Sequence, residues 1–202
     1  MEFRVPDWLE SALPEADRRF RDAGARMGVA VDLARRNVSR ETGGPFGAAV
    51  FDREAGTLVA PGVNLVLRER CSVLHAEIVA LILAQRALGS HDLSEPGLPE
   101  CELVTTAEPC AMCFGAIPWS GVSRLVCGAR SSDARAVGFD EGEKPSDWTG
   151  ALERRGITVE RDVRREEAAS VLRAYAEGGG PIYNSERAAS TRPPESSGGS
   201  PR

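Results

Sequence analysis

Apolar residues recur at helical spacing through Ala23, Met27, Ala30, Val31 and Ala34, with Arg and Asp on the other side. The spacing predicts a helix from Pro14 to Arg40 with one buried face. The stretch "ETGGPFG" ends it, because Gly43, Gly44 and Gly47 around Pro45 let backbone pass close to a neighbour. "FGAAVFD" and "TLVAPGVNLVL" then read as two strands joined by a turn at Arg53 to Gly56. His75 to Leu88 is apolar enough for a buried helix. A strand "CELVTTA", a short helix "CAMCFGAI", a strand "SRLVCGA" and a helix "SDARAVGF" follow. "GITVERD" predicts a last strand, and Arg164 to Glu177 a last helix.

Strands that alternate with helices predict a three-layer α/β/α sandwich around a mixed sheet. The short turn between the first two strands makes that pair antiparallel, while helical crossovers allow the later strands to run parallel. Residues 1–184 are expected to form one domain. From Ser185 to Arg202 no apolar residue exceeds Ala, and this Ser, Pro and Gly-rich stretch is expected to be a disordered tail.

Composition narrows the chemistry. The 202 residues carry a net charge of −5, so no clustered positive charge points to nucleic acid as a constant partner. The single lysine, Lys144, stands in the polar run "EGEKPSD" and reads as solvated, which leaves neither a P-loop lysine nor a Schiff-base lysine. The longest apolar run, "IVALILA", is too short to cross a bilayer, and "MEFRVPDWLE" has no signal-peptide core. A cytoplasmic location is expected. The five cysteines are then expected to stay reduced, with Cys71, Cys101 and Cys127 as isolated, mostly core residues.

Two histidines remain. His91, in "GSHDLSEP", reads as a loop residue. His75 opens a helix, with Glu77 two positions on. On its own it would be a capping or solvated residue, and "CAMC" on its own would be as compatible with a redox pair as with a metal. Together, "HAE" and "EPCAMC" are more specific. Both lie where a strand or loop enters a helix, and in an α/β sheet such ends converge at one edge. His75, Cys110 and Cys113 give three zinc ligands and leave a fourth position for water, the pattern of a catalytic centre. Glu77 is then the acid-base group.

On these residues the chain resembles the cytidine/deoxycytidylate deaminase-like zinc superfamily. The segments "GGPFGAAV", "GVN", "HAE", "EPCAMCFGAI" with Trp119, and "VGFDE" are most similar to bacterial guanine deaminases and related nucleoside deaminases. The resemblance implies one Zn2+ per chain and deamination of a nucleobase-type amino-heterocycle, with guanine foremost. It implies that Glu77 and Glu141 are catalytic and that Phe46, Asn64, Ala76, Trp119 and Glu141 bind the substrate. Trp119 reads equally as a pocket wall and as a packing residue. The expected partner is a small nucleobase or nucleoside, with no nucleic acid and no membrane. A homodimer is implied, with an exchanged C-terminal segment from which Tyr183 could cover the site. Leu74, Ala107 and Ala111 depart from the family pattern and leave the heterocycle open among guanine, a nucleoside, cytosine and an amino-triazine. A tRNA adenosine deaminase, and a non-catalytic zinc or CxxC redox protein, are the rival readings.

Overall fold

The computed structural model describes residues 3–11, 15 and 17–183. The expected tail, 185–202, lies outside the described residues. The first elements are a short helix α1 (Asp7–Ser11) and the long helix α2 (Ala23–Ser39). A hairpin of β1 (Gly47–Asp52) and β2 (Leu58–Val63) follows, then a single turn α3 (Val66–Glu69) and α4 (Ala76–Leu88). Next come β3 (Cys101–Ala107), α5 (Ala111–Ser120), β4 (Arg124–Ala129) and α6 (Ser131–Ala136). The last elements are α7 (Trp148–Glu153), β5 (Thr158–Glu160) and α8 (Arg165–Glu177).

The five strands form one mixed sheet in the order β2-β1-β3-β4-β5. β1 is antiparallel to β2, and β3, β4 and β5 run parallel, as the connections predicted; β1 also pairs antiparallel with β3. Successive residues of each central strand face opposite layers. Ala49, Phe51, Val104 and Val126 join the core under α2 and α8. Ala48, Val50, Leu103, Leu125 and Cys127 join the core under α4, α5 and α7. That alternation produces the three layers.

Two glycines let helices approach the sheet closely. A Cβ on Gly47 would overlap the Ala30 carbonyl and stand 2.8 Å from the Ala34 nitrogen, so α2 sits directly on β1. A Cβ on Gly62 would overlap the Ala76 carbonyl and stand 2.6 Å from the Ala80 nitrogen, so the start of α4 sits directly on β2. The chemistry-bearing start of α4 is thereby fixed to the sheet.

Three expectations need correction. The helix expected from Pro14 begins at Ala23, because the Asp22 side chain accepts the Ala25 N–H at 2.7 Å and caps it there. The second strand ends at Val63, not Leu67, because Asn64 turns the chain into α3, its Oδ1 accepting the Val66 N–H at 3.2 Å. Helices α1 and α7 have too short a pattern to be seen by periodicity.

One buried ion-pair cluster of the core lies at the start of β3. Glu102, fully buried near the start of β3, accepts from Arg26 at 2.6 Å and from Arg124 at 2.8 Å, and Arg124 also pairs with Glu160. Removing one partner of such a buried pair costs about 3–5 kcal/mol, because a charge is left behind uncompensated.

Candidate metal centre and substrate pocket

His75 is the N-cap of α4 and Cys110 the N-cap of α5, both in extended backbone. Cys113 lies one turn into α5 and is buried. The helix starts meet at the carboxyl end of the central strands. His75 Nδ1 is 3.5 Å from Cys110 Sγ and 3.6 Å from Cys113 Sγ. All three donor atoms lie within 4.8 Å of one another. A tetrahedral ion about 2.3 Å from sulfur and about 2.0 Å from nitrogen requires an S···N separation of about 3.5 Å. The residues therefore fit zinc without rearrangement.

The protonation of the thiols supports the same fit. The Cys113 thiol donates towards Cys110, and with His75 beside it Cys110 is held as a thiolate, its pKa lowered to about 4. Cys113 keeps its proton because Cys110 receives it and because it is buried. A bound cation would take the place of that proton, and both sulfurs would then ligate it as thiolates.

The remaining walls come from four loops. The cavity beside the ligands is lined by Phe46, Asn64, Glu77, Phe139, Glu141 and Tyr183, among others. Phe46 and Phe139 meet edge to face at 5.0 Å, and Tyr183 packs on Phe139 at 5.1 Å. Glu77 is buried one helical step from His75, and burial, then the Cys110 charge, push its pKa above the usual carboxylate range. Glu141 is buried too. Burial, then the Cys110 thiolate, raise its pKa to about 7. Its Oε2 and the Tyr183 hydroxyl are buried without a hydrogen-bond partner. Buried polar atoms of this kind are rare and mark places where a bound group completes the pairing.

Not every expected residue reaches this cavity. Ala76 is buried at the first position of α4, over Gly62, and is outside the lining set. Trp119 is 79% exposed near the end of α5 and is also outside it, because the helix turns its side chain away from the sheet. Tyr183 does reach the cavity, from the same chain, and its ring lies where a Cβ on Gly44 would stand. His91 is exposed, as expected. Lys144 is half-buried, not solvated.

Asn37 is the residue most clearly missed by sequence reasoning. It is fully buried in α2, and its Nδ2 donates at 2.9 Å to both the Gly44 and the Asn64 carbonyls. Thr42 Oγ1 donates to Asn37 Oδ1 at 2.7 Å and accepts from the Trp8 indole at 3.0 Å. One amide thus ties the two loops that carry Phe46 and Asn64. A polar residue on the apolar stripe of α2 was the available signal.

Known proteins align with this arrangement. The model of the cytidine and deoxycytidylate deaminase zinc-binding region matches residues 21–129. The guanine deaminase of Bacillus subtilis is 38% identical over 112 residues, 55% of this chain and 67% of that protein. A solved guanine deaminase structure from Nitrosomonas europaea has a TM-score of 0.84 at 52% identity, covering 88% of this chain and 96% of that one. The tRNA(Ile)-lysidine synthase of Deinococcus radiodurans is 35% identical over 149 residues, 74% of this chain and only 24% of that longer protein. Since the matched region spans more than half of the sequence and contains all three ligands, the chain belongs to the cytidine and deoxycytidylate deaminase family of zinc-dependent deaminases.

Proposed function

We propose that the protein hydrolyses guanine to xanthine and ammonia. One observation carries the choice of substrate: the buried Glu141 carboxylate, with an unpartnered oxygen, lines the same cavity as His75 and Cys110. Guanine offers a ring N–H and a 2-amino group side by side, and a carboxylate accepts both. Related solved structures hold 8-azaguanine and 2,6-diaminopurine, which are purines of similar outline.

His75, Cys110 and Cys113 hold the zinc, one ion per chain. The ion supplies Lewis acidity that makes water a nucleophile at neutral pH. Glu77 would take one proton of that water to the ring nitrogen beside the attacked carbon, then carry the second, from the hydroxyl left on that carbon, to the departing amine. Burial raises its pKa, which favours its holding a proton. Phe46 and Phe139, packed edge to face on each other, form one aromatic wall against the heterocycle, and the Asn64 side chain donates to its acceptors. Tyr183 packs over Gly44 and forms one wall of the cavity.

We place the protein in the cytoplasm, where thiolate ligands stay reduced, and as a homodimer. The dimer rests on the family resemblance and on the exposed Trp119 of the mostly apolar helix α5.

The test compares kcat/KM for guanine and for cytosine in the wild type and in Glu141→Gln. A Gln faces the guanine donors with an amide donor of its own and leaves buried groups unpaired, which costs about 1–3 kcal/mol. Guanine turnover should fall by about tenfold or more beyond any loss on cytosine. Equal losses on both bases, or no loss, would remove the reason for choosing guanine.

A further inference from the structure

The sole lysine of the chain stands behind the metal centre. Lys144 Nζ donates to the Pro109 carbonyl at 2.7 Å and to Ser131 Oγ at 2.8 Å. It also lies 4.7 Å from the centre of the Trp148 ring, which is buried. Pro109 is the residue immediately before the ligand Cys110, so the ammonium holds the backbone of the turn that aims the Cys110 thiolate.

The loop that carries Lys144 also carries Glu141, and it is joined to the same turn a second time. The Ala111 N–H donates to the Glu141 carbonyl at 2.8 Å. Gly142, at φ +65°, is packed so closely that a Cβ there would come within 2.9 Å of Ala111 Cβ. The outer side of the turn is fixed by Glu108, which is buried, accepts the Ser131 N–H at 3.0 Å and pairs with Arg161. Ser131 is therefore shared by Glu108 and Lys144. Lys144, Trp148 and Arg161 all lie beyond the residues matched by the family model, which end at 129.

We propose that Lys144 is a positioning residue that locks the Pro109–Cys110 turn to the Asp140–Lys144 loop, so that the zinc ligand and Glu141 keep one fixed spacing. Its worth on the Glu141 side rests on the deaminase reading above; its worth on the Cys110 side does not. Groups that orient metal ligands from behind typically contribute about 10–100-fold in metal affinity. Met keeps the length of the stem but has neither the donors nor the charge that faces Trp148.

The experiment uses zinc-loaded protein, wild type and Lys144→Met, with Glu141→Gln and the double variant as partners. Zinc transfer to an excess of chromogenic chelator is followed first. Lys144→Met, with an unchanged circular dichroism spectrum, should lose zinc at least about tenfold faster. Its KM for guanine should rise more than its kcat falls, and adding Lys144→Met to Glu141→Gln should raise KM little further. Zinc release within twofold of wild type would overturn the proposal, whatever the substrate proves to be. So would a KM effect that is undiminished in the Glu141→Gln background. If Lys144→Met does not fold, acetylation of the zinc-loaded wild type with an amine-reactive ester decides. Lys144 should react at least about tenfold more slowly than a free lysine analogue, and equal rates would show that it is not held.

Discussion

At the residue scale, Glu77 carries the sharpest expectation. Glu77→Gln is close in shape but moves no proton, so turnover should fall by at least about 100-fold while zinc content stays at one per chain. Activity within a few-fold of wild type, measured with metal analysis alongside, would take the proton-carrying role away from Glu77. Glu141 gives a second test through stability. Its carboxyl is raised from 4.5 to about 7 in the fold, so the folded state binds the proton more tightly than the unfolded chain. The stabilisation is fully present below pH 4.5 and is lost as pH rises through about 7. Zinc-free wild type should therefore lose more melting temperature between pH 5 and pH 8 than zinc-free Glu141→Gln, by calorimetry. The three ligands and Glu77 were legible in the sequence because two local motifs carry them. Lys144 was not: its partners Pro109 and Trp148 are brought to it by the fold, and a charged residue in a polar run gives no sign of being held. Trp119 was open between pocket wall and packing residue in the sequence, and the fold leaves it exposed near the end of α5.

At the element scale, helices hold the substrate loops by a few buried polar bonds. Asn37→Ala would leave the Gly44 and Asn64 carbonyls without their donor. The expected cost is about 1–3 kcal/mol of stability, read from denaturant unfolding, and a KM raised more than kcat is lowered. An unchanged KM in a destabilised variant would mean that Asn37 serves the fold alone. The central strands β1, β3 and β4 were read nearly to the residue because each alternates between two buried faces. The start of α2 and the end of β2 were misplaced because single side chains, Asp22 and Asn64, end the apolar pattern by capping and turning the backbone. Such local bonds compete with periodicity and win at element ends.

At the scale of the whole molecule, the uncovered surface decides how copies meet. Trp119 is 79% exposed on a helix made almost wholly of apolar residues, and Val73, two residues before His75, is 50% exposed. If the proposed homodimer forms through this helix, Trp119→Asp should sediment as a monomer, with the circular dichroism spectrum unchanged. A monomeric wild type, or a variant that still sediments as a dimer, would remove this helix from the interface.

The borders of the sheet bear on a different matter, the behaviour of the protein when crowded. β2 is one border and carries Pro61, which has no N–H to offer an incoming strand. β5 is the other and is only three residues long. Neither offers the long row of free donors and acceptors that lets sheets grow from chain to chain. Concentrated solutions should then scatter light as discrete particles of constant size, and slow heating should yield amorphous precipitate, not fibrils that bind amyloid dyes.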